Sequence, residues 1–139
     1  MGFAGSFRMG QLLRYKCEIP ESTEGQSIEK YMATMFIDTI RTCFEKGGFS
    51  QKVNGKEEGG TFLVGYKSRL FTVYGDFQVA ESLDKYDAIG AGSELALGSL
   101  YSTEGRDPKE RIKRALEAAE KFNAAVRRPF HIIELPVRP

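Results

Sequence analysis

The stretch Ser27-Ile28-Glu29-Lys30-Tyr31-Met32-Ala33-Thr34-Met35-Phe36-Ile37-Asp38-Thr39-Ile40-Arg41-Thr42-Cys43-Phe44-Glu45 carries the strongest periodic signal in the chain. Ile28, Tyr31, Met32, Met35, Phe36, Thr39, Ile40, Cys43 and Phe44 recur at three- and four-residue steps, which puts them on one face of a helix. A long amphipathic helix over about 27–45 is predicted, stopped by Gly47 and Gly48. Downstream, the polar, glycine-rich 49–60 reads as a mobile hairpin or surface loop. Thr61-Phe62-Leu63-Val64-Gly65-Tyr66 and Leu70-Phe71-Thr72-Val73-Tyr74 are β-rich runs split by Lys67-Ser68-Arg69, the pattern of a hairpin. A short strand near 77–82 continues the meander. With the helices on either side, the meander points to an α/β-type domain of two helix pairs and a sheet.

Working outward, the N-terminal side opens with Met1-Gly2-Phe3-Ala4-Gly5, a short strand feeding a helix that Ser6 caps and that runs to about Tyr15. Residues 18–26 collect Glu, Pro, Ser, Thr and Gly and form a loop. On the C-terminal side, Gly90-Ala91-Gly92-Ser93 precedes a helix of small residues, Glu94 to Leu100. Asp107-Pro108-Lys109-Glu110 combines a cap, a first-turn proline and a glutamate three residues on, so a second helix extends to about Phe122. Arg127-Arg128-Pro129 interrupts, and Phe130-His131-Ile132-Ile133-Glu134-Leu135 is predicted as a closing strand, with Pro136 and Pro139 blocking continuation.

The 139 residues fit a single domain, and a chain of this size buries about two-thirds of its surface without a metal or disulfide staple. Lys+Arg 20 against Asp+Glu 19 leaves a net charge of +1. That balance argues against nucleic acid, because each neutralised phosphate needs a cation. Cys17 and Cys43 lack metal or redox spacing, so they read as free thiols in a reducing cytosol. No apolar run reaches a membrane span of roughly 20 residues and no leader opens the chain, so a soluble, cytoplasmic protein with no membrane contact is expected. Met1, Gly2 and Ser6 also fit the short N-myristoylation pattern, which needs a host with the modifying enzyme.

Candidate chemistry is sparse. Gly90-Ala91-Gly92 could hold an anion at a helix start, but a dinucleotide fingerprint needs a third glycine where Leu95 stands. His131 is the sole histidine and lies in a strand-like run, where a structural role is the ordinary one. Asp76, Asp84 and Asp87 read as turn residues, and no metal or other cofactor is expected. Lys109, Arg111, Lys113 and Arg114, interleaved with glutamates, form a solvated helix face.

This order of elements resembles the proteasome-like branch of the N-terminal-nucleophile (Ntn) hydrolases, in particular the bacterial peptidase subunit that works with a ring ATPase. Gly2-Phe3-Ala4-Gly5 before a helix looks like that family's strand-to-helix corner. Tyr86-Asp87-Ala88-Ile89-Gly90-Ala91-Gly92-Ser93, with Ala96-Leu97-Gly98 after it, looks like its second glycine corner. The likeness spans nearly the whole chain, although each motif is short.

The resemblance implies an α+β fold, a four-layer α-β-β-α sandwich truncated at its N-terminus, in which an N-terminal threonine attacks a peptide carbonyl with its own amine as base. It implies further that the Gly5 N–H donates to the oxyanion. Phe3, Phe7 and Gln11 would line the substrate pocket, together with Gly90, Ala91 and Gly92 of the second corner. The chain departs from the family where it matters most: nucleophile and supporting Asp and Lys would lie upstream of Met1, Ala91 stands where a serine is usual, and Asn123-Ala124-Ala125-Val126 replaces an Asp followed by Ser or Thr. The expectation is therefore a threonine-peptidase-type subunit that does not cleave as the 139-residue chain, forms homo-oligomers, and, once completed, takes peptides and a ring-ATPase partner. A non-catalytic assembly protein of the same fold and an unrelated α/β binding domain remain as alternatives.

Overall fold

A computed structural model describes residues 1–53 and 55–136. The predicted long helix is one continuous helical stretch built of α2 (Ile28–Tyr31), a π-helical turn (Met32–Phe36) and α3 (Ile37–Lys46). The Ser27 side chain caps it by accepting from the Lys30 N–H. Periodicity does not reveal the π turn, around which two threonines bond back to the helix. Thr34 Oγ1 donates to the Lys30 carbonyl at 2.6 Å and Thr39 Oγ1 to the Met35 carbonyl at 2.8 Å, and such back-bonding competes with the helical ladder. At the other end Gly47 is the C-cap, and Gly48 takes the left-handed φ of 68° that favours glycine.

β1 (Gly2–Phe3) pairs antiparallel with β4 (Phe62–Tyr66), which pairs with β5 (Arg69–Val73), and β5 with β6 (Val79–Glu81). The β4–β5 connection is a two-residue turn. Lys67 and Ser68 both have positive φ, as type I′ turns require, and Arg69 belongs to the strand rather than to the loop. Residues 49–60 contain a separate small hairpin, β2 (Gln51–Val53) with β3 (Lys56–Glu58). The chain is thus α+β. Among the described residues there is one four-stranded sheet, not the two stacked sheets of a four-layer sandwich.

One face of the sheet presents Phe62, Val64, Phe71 and Val73 to α1 (Phe7–Tyr15) and to the π turn and α3, where Met9, Leu12, Phe36, Ile40 and Phe44 complete the main core. Gly10 is buried in α1 because Phe3 lies on it: a Cβ there would fall 2.1 Å from the ring. The opposite face looks toward α4 (Ser93–Ser102) and α5 (Pro108–Phe122), which pack on each other through Ala96, Leu100 and Ala115, with Tyr86 and Ala88 alongside. This second core is distinct from the first.

The Asp107 cap is present as predicted, its carboxylate accepting from the Glu110 N–H at 3.0 Å. Asp107→Ala is expected to lower stability by about 1 kcal/mol, measured by urea denaturation.

Three expectations fail here. Phe130–Leu135 forms no strand. The sheet has edges at β1 and β6, but polar contacts lead this tail along α5 instead: Arg128 pairs with Glu120 at 2.9 Å and Glu134 with Lys109 at 2.7 Å. Ile133 and Leu135 are left exposed, and Pro139 lies outside the described residues. The cysteines are not free: Cys17 and Cys43 form a disulfide, brought together because the end of α1 packs on α3. Finally, Arg111 is not on the solvated face. It is half-buried, donates to the Leu100 carbonyl at 2.7 Å and lies over the Tyr86 ring. Among the described residues no helix is long and apolar enough to cross a membrane.

Arg69 joins the sheet to α2 by pairing with both Glu81 and Glu29. Hydrogen bonding to Arg69 holds the Glu81 carboxyl below its ordinary value. Glu29 is also lowered, first by a backbone N–H bond and then by Arg69. Both pKa values are depressed in the fold, so their contribution is present above the ordinary carboxylate range and is lost as pH falls through it, from about 4.3 downward. Glu81→Gln should flatten the acid limb of the urea midpoint plotted against pH.

Candidate functional site

The residues singled out by the sequence do not share one environment. Gly5 takes φ 90° at the end of β1, just before the Ser6 cap whose side chain accepts from the Met9 N–H at 3.3 Å. A side chain at this corner would be strained, so the backbone turns there without one. The Ala4 N–H donates to the Thr61 carbonyl, pinning the corner to the start of β4. Phe3 is half-exposed over Gly10, while Phe7, 82% exposed, and Gln11 stand on the open face of α1. These three side chains form no enclosed pocket, because nothing among the described residues closes over α1 on that side.

The second corner comes to the first. Gly90, with φ 98°, lies so close to Ala4 that a Cβ on it would be 3.3 Å from the Ala4 Cβ. Gly92 is buried against α5 and the segment that follows it. A Cβ there would sit 2.7 Å from Ala119 Cβ and 2.8 Å from Val126 Cγ2. The third member was missed as a positive signal. Asn123, read from the sequence only as a departure from the family pattern, donates from Nδ2 to the Ala91 carbonyl at 2.6 Å, and its Oδ1 accepts from the Ala125 N–H at 2.9 Å. A polar residue at a helix C-cap before a run of small ones was the available clue.

Ala91 and Gly92 also wall an apolar cavity of about 470 Å3 between the sheet and the α4–α5 pair, with Leu63 on the sheet side and Leu100, Ile112 and Leu116 on the helix side. Phe3, Gly5, Phe7 and Gln11 lie outside its walls. Asp87 is the acidic group at its margin. It accepts from the Thr72 hydroxyl, which is buried on the sheet face, and from the Ala88 N–H at 2.7 Å. Asp87 is therefore committed to holding the α4–α5 layer to the sheet, and Asp76 to a turn through the Gln78 N–H at 3.0 Å. His131 is exposed on the irregular tail. What the arrangement offers chemically is bare backbone at two left-handed glycines and, walled by Ala91 and Gly92, a volume large enough for a small ligand.

No protein-family model matches the chain, and no curated protein matches it. Among solved structures it is similar to Thiobacillus denitrificans BPH, with a TM-score of 0.63 and 21% sequence identity over 85% of this chain and 64% of that one. The likeness is one of fold. The chain spans less than two-thirds of the solved protein.

Proposed function

We propose that the chain is the scaffold of a proteasome-like Ntn-hydrolase subunit of the threonine-peptidase type, whose nucleophile is supplied by residues outside these 139. The observation that carries this reading is the meeting of three segments distant in sequence. The Gly2–Gly5 corner, the Gly90–Gly92 corner and Asn123 gather at one end of the sheet, with Gly90 against Ala4 and Asn123 on Ala91. Gly5 would present its N–H to a developing oxyanion, a role in which a bare backbone lets the substrate carbonyl approach. The α1 N-terminus adds favourable polarity for an anion.

The four-layer form is part of the same proposal. A second sheet between the first sheet and α4–α5 would displace the helix pair outward, since stacked sheets lie about 10 Å apart, and would cover the apolar walls of the cavity. Peptide substrate, homo-oligomeric assembly, a ring-ATPase partner and a cytoplasmic location follow from the family reading. The cavity and the open face of α1 also favour a second reading, an assembly protein of the same fold that binds without cleaving.

The test is a search of the gene for a threonine-bearing segment upstream of Met1, and hydrolysis of fluorogenic peptides by two proteins: the 139-residue chain, and the chain carrying any such segment, processed to begin with threonine. Hydrolysis by the extended protein alone, abolished when that threonine becomes alanine, is the expected result. Cleavage by the 139-residue chain would overturn the proposal. An extended protein that assembles but cleaves nothing would select the second reading.

A further inference from the structure

At the end of α1 away from both corners, Lys16 is the C-cap and Cys17 follows it, bonded to Cys43 in the last turns of α3. Both cysteines are half-buried, and they differ in what surrounds them. Cys43 forms part of the wall of two neighbouring clefts, of about 390 and 320 Å3. The smaller is lined by Arg8, Leu12, Lys16, Cys43, Lys46 and Gly47. Three cations and no carboxylate surround it, and the Arg8 guanidinium is fixed by donating to the Gly47 carbonyl at 3.1 Å. The larger cleft shares Lys16 and Lys46 but adds Glu18 and Asp38, so its charge is balanced. Cys17 belongs to the wall of neither.

A disulfide sulfur beside a cationic cleft is approached most readily by a thiolate whose carrier is itself negative, because the local field raises the concentration of anions there. We propose that Cys43 is a site of reversible thiol–disulfide exchange with a small anionic thiol, for which glutathione is the probe. The thiolate sulfur attacks Cys43 Sγ and forms a new S–S bond. The Cys17–Cys43 bond breaks, its electron pair leaves on Cys17 Sγ, and that sulfur takes a proton from water. A second thiolate then attacks the sulfur of the bound thiol, forming the small-molecule disulfide and releasing Cys43 as a thiolate, which is protonated in turn. The net change oxidises two small thiols to one disulfide and reduces the protein disulfide to two thiols. Oxidised glutathione reverses it.

The experiment follows free-thiol appearance and intact mass in the native chain treated with glutathione or with uncharged 2-mercaptoethanol. Expected is a transient adduct of one glutathionyl group, mapped to Cys43. In the Lys16→Ala/Lys46→Ala variant, exchange with glutathione should slow by about 3- to 10-fold, while exchange with 2-mercaptoethanol is little changed. Raising the salt should erase the difference, because the cations are exposed. Cys17→Ser should trap the adduct on Cys43 when oxidised glutathione is added. An adduct mapped to Cys17, an equal slowing for the neutral thiol, or no exchange with glutathione at all would overturn the proposal. The native-chain measurement does not depend on any variant folding.

Discussion

Phe44→Ala is expected to lower the unfolding free energy by about 3–5 kcal/mol, the loss of a fully buried aromatic ring. Phe44 is fully buried. Its ring meets Phe49 edge-on at 5.1 Å and also packs on Phe62 and Phe77, each at 6.2 Å. Those partners come from the loop after α3, from β4 and from the turn before β6, so one side chain joins a helix to the sheet and to two connections. The void left by alanine cannot close easily, because Phe77 is held at φ 65° by a tight turn, with its N–H donating to the Tyr74 carbonyl at 2.9 Å. Equilibrium urea denaturation with an unchanged slope would measure the loss. A loss under about 1.5 kcal/mol would mean that the core collapses around the gap and that the aromatic contacts matter less than their geometry implies.

The second large effect concerns the cysteines. Cys17 and Cys43 are separated by 26 residues, and closing a loop of that length in the unfolded chain corresponds to about 3.5 kcal/mol of stabilisation. The double substitution Cys17→Ala/Cys43→Ala should lose a comparable amount. Excess reductant should bring the wild-type protein down to the same stability and leave the double variant untouched. Thermal and urea unfolding with and without reductant would decide it. Equal stability of the wild type in both conditions would show that packing of α1 on α3 suffices without the bond.

Much of the fold was legible because its signals are local. Ser6, Ser27 and Asp107 cap the helices they precede, and in each case a side-chain oxygen accepts from the N–H three residues on. The β-rich runs Thr61–Tyr66 and Leu70–Tyr74, split by Lys67-Ser68-Arg69, gave the hairpin, although Arg69 turns out to belong to the second strand. What stayed hidden depends on partners far along the chain. The Cys17–Cys43 bond needs the packing of α1 on α3, which spacing alone does not encode. The tail at 130–135 has the side chains of a strand, but strand propensity does not decide where a segment docks, and its contacts with α5 are tertiary.

The candidate site was legible only in part, for the same reason. Gly5 and Gly90 could be picked out as turn glycines, and their left-handed φ values agree. Their contact through Ala4, and the bond from Asn123 to Ala91, are tertiary facts. Phe7 and Gln11 are pocket residues only by what the resemblance implies. Whether such residues line anything depends on what stands opposite them, which helical spacing does not report.

The separation of the two cores has a consequence for how the molecule comes apart. The α4–α5 pair meets the sheet through a few contacts, among them the Thr72–Asp87 bond and the touch of Gly90 on Ala4, across a space lined by hydrocarbon. Little cooperativity passes through so thin a seam. The helical hairpin is expected to detach first, its amide protons exchanging ahead of those in β4 and β5 in hydrogen-exchange measurements, while the sheet and the helices on its other face hold together.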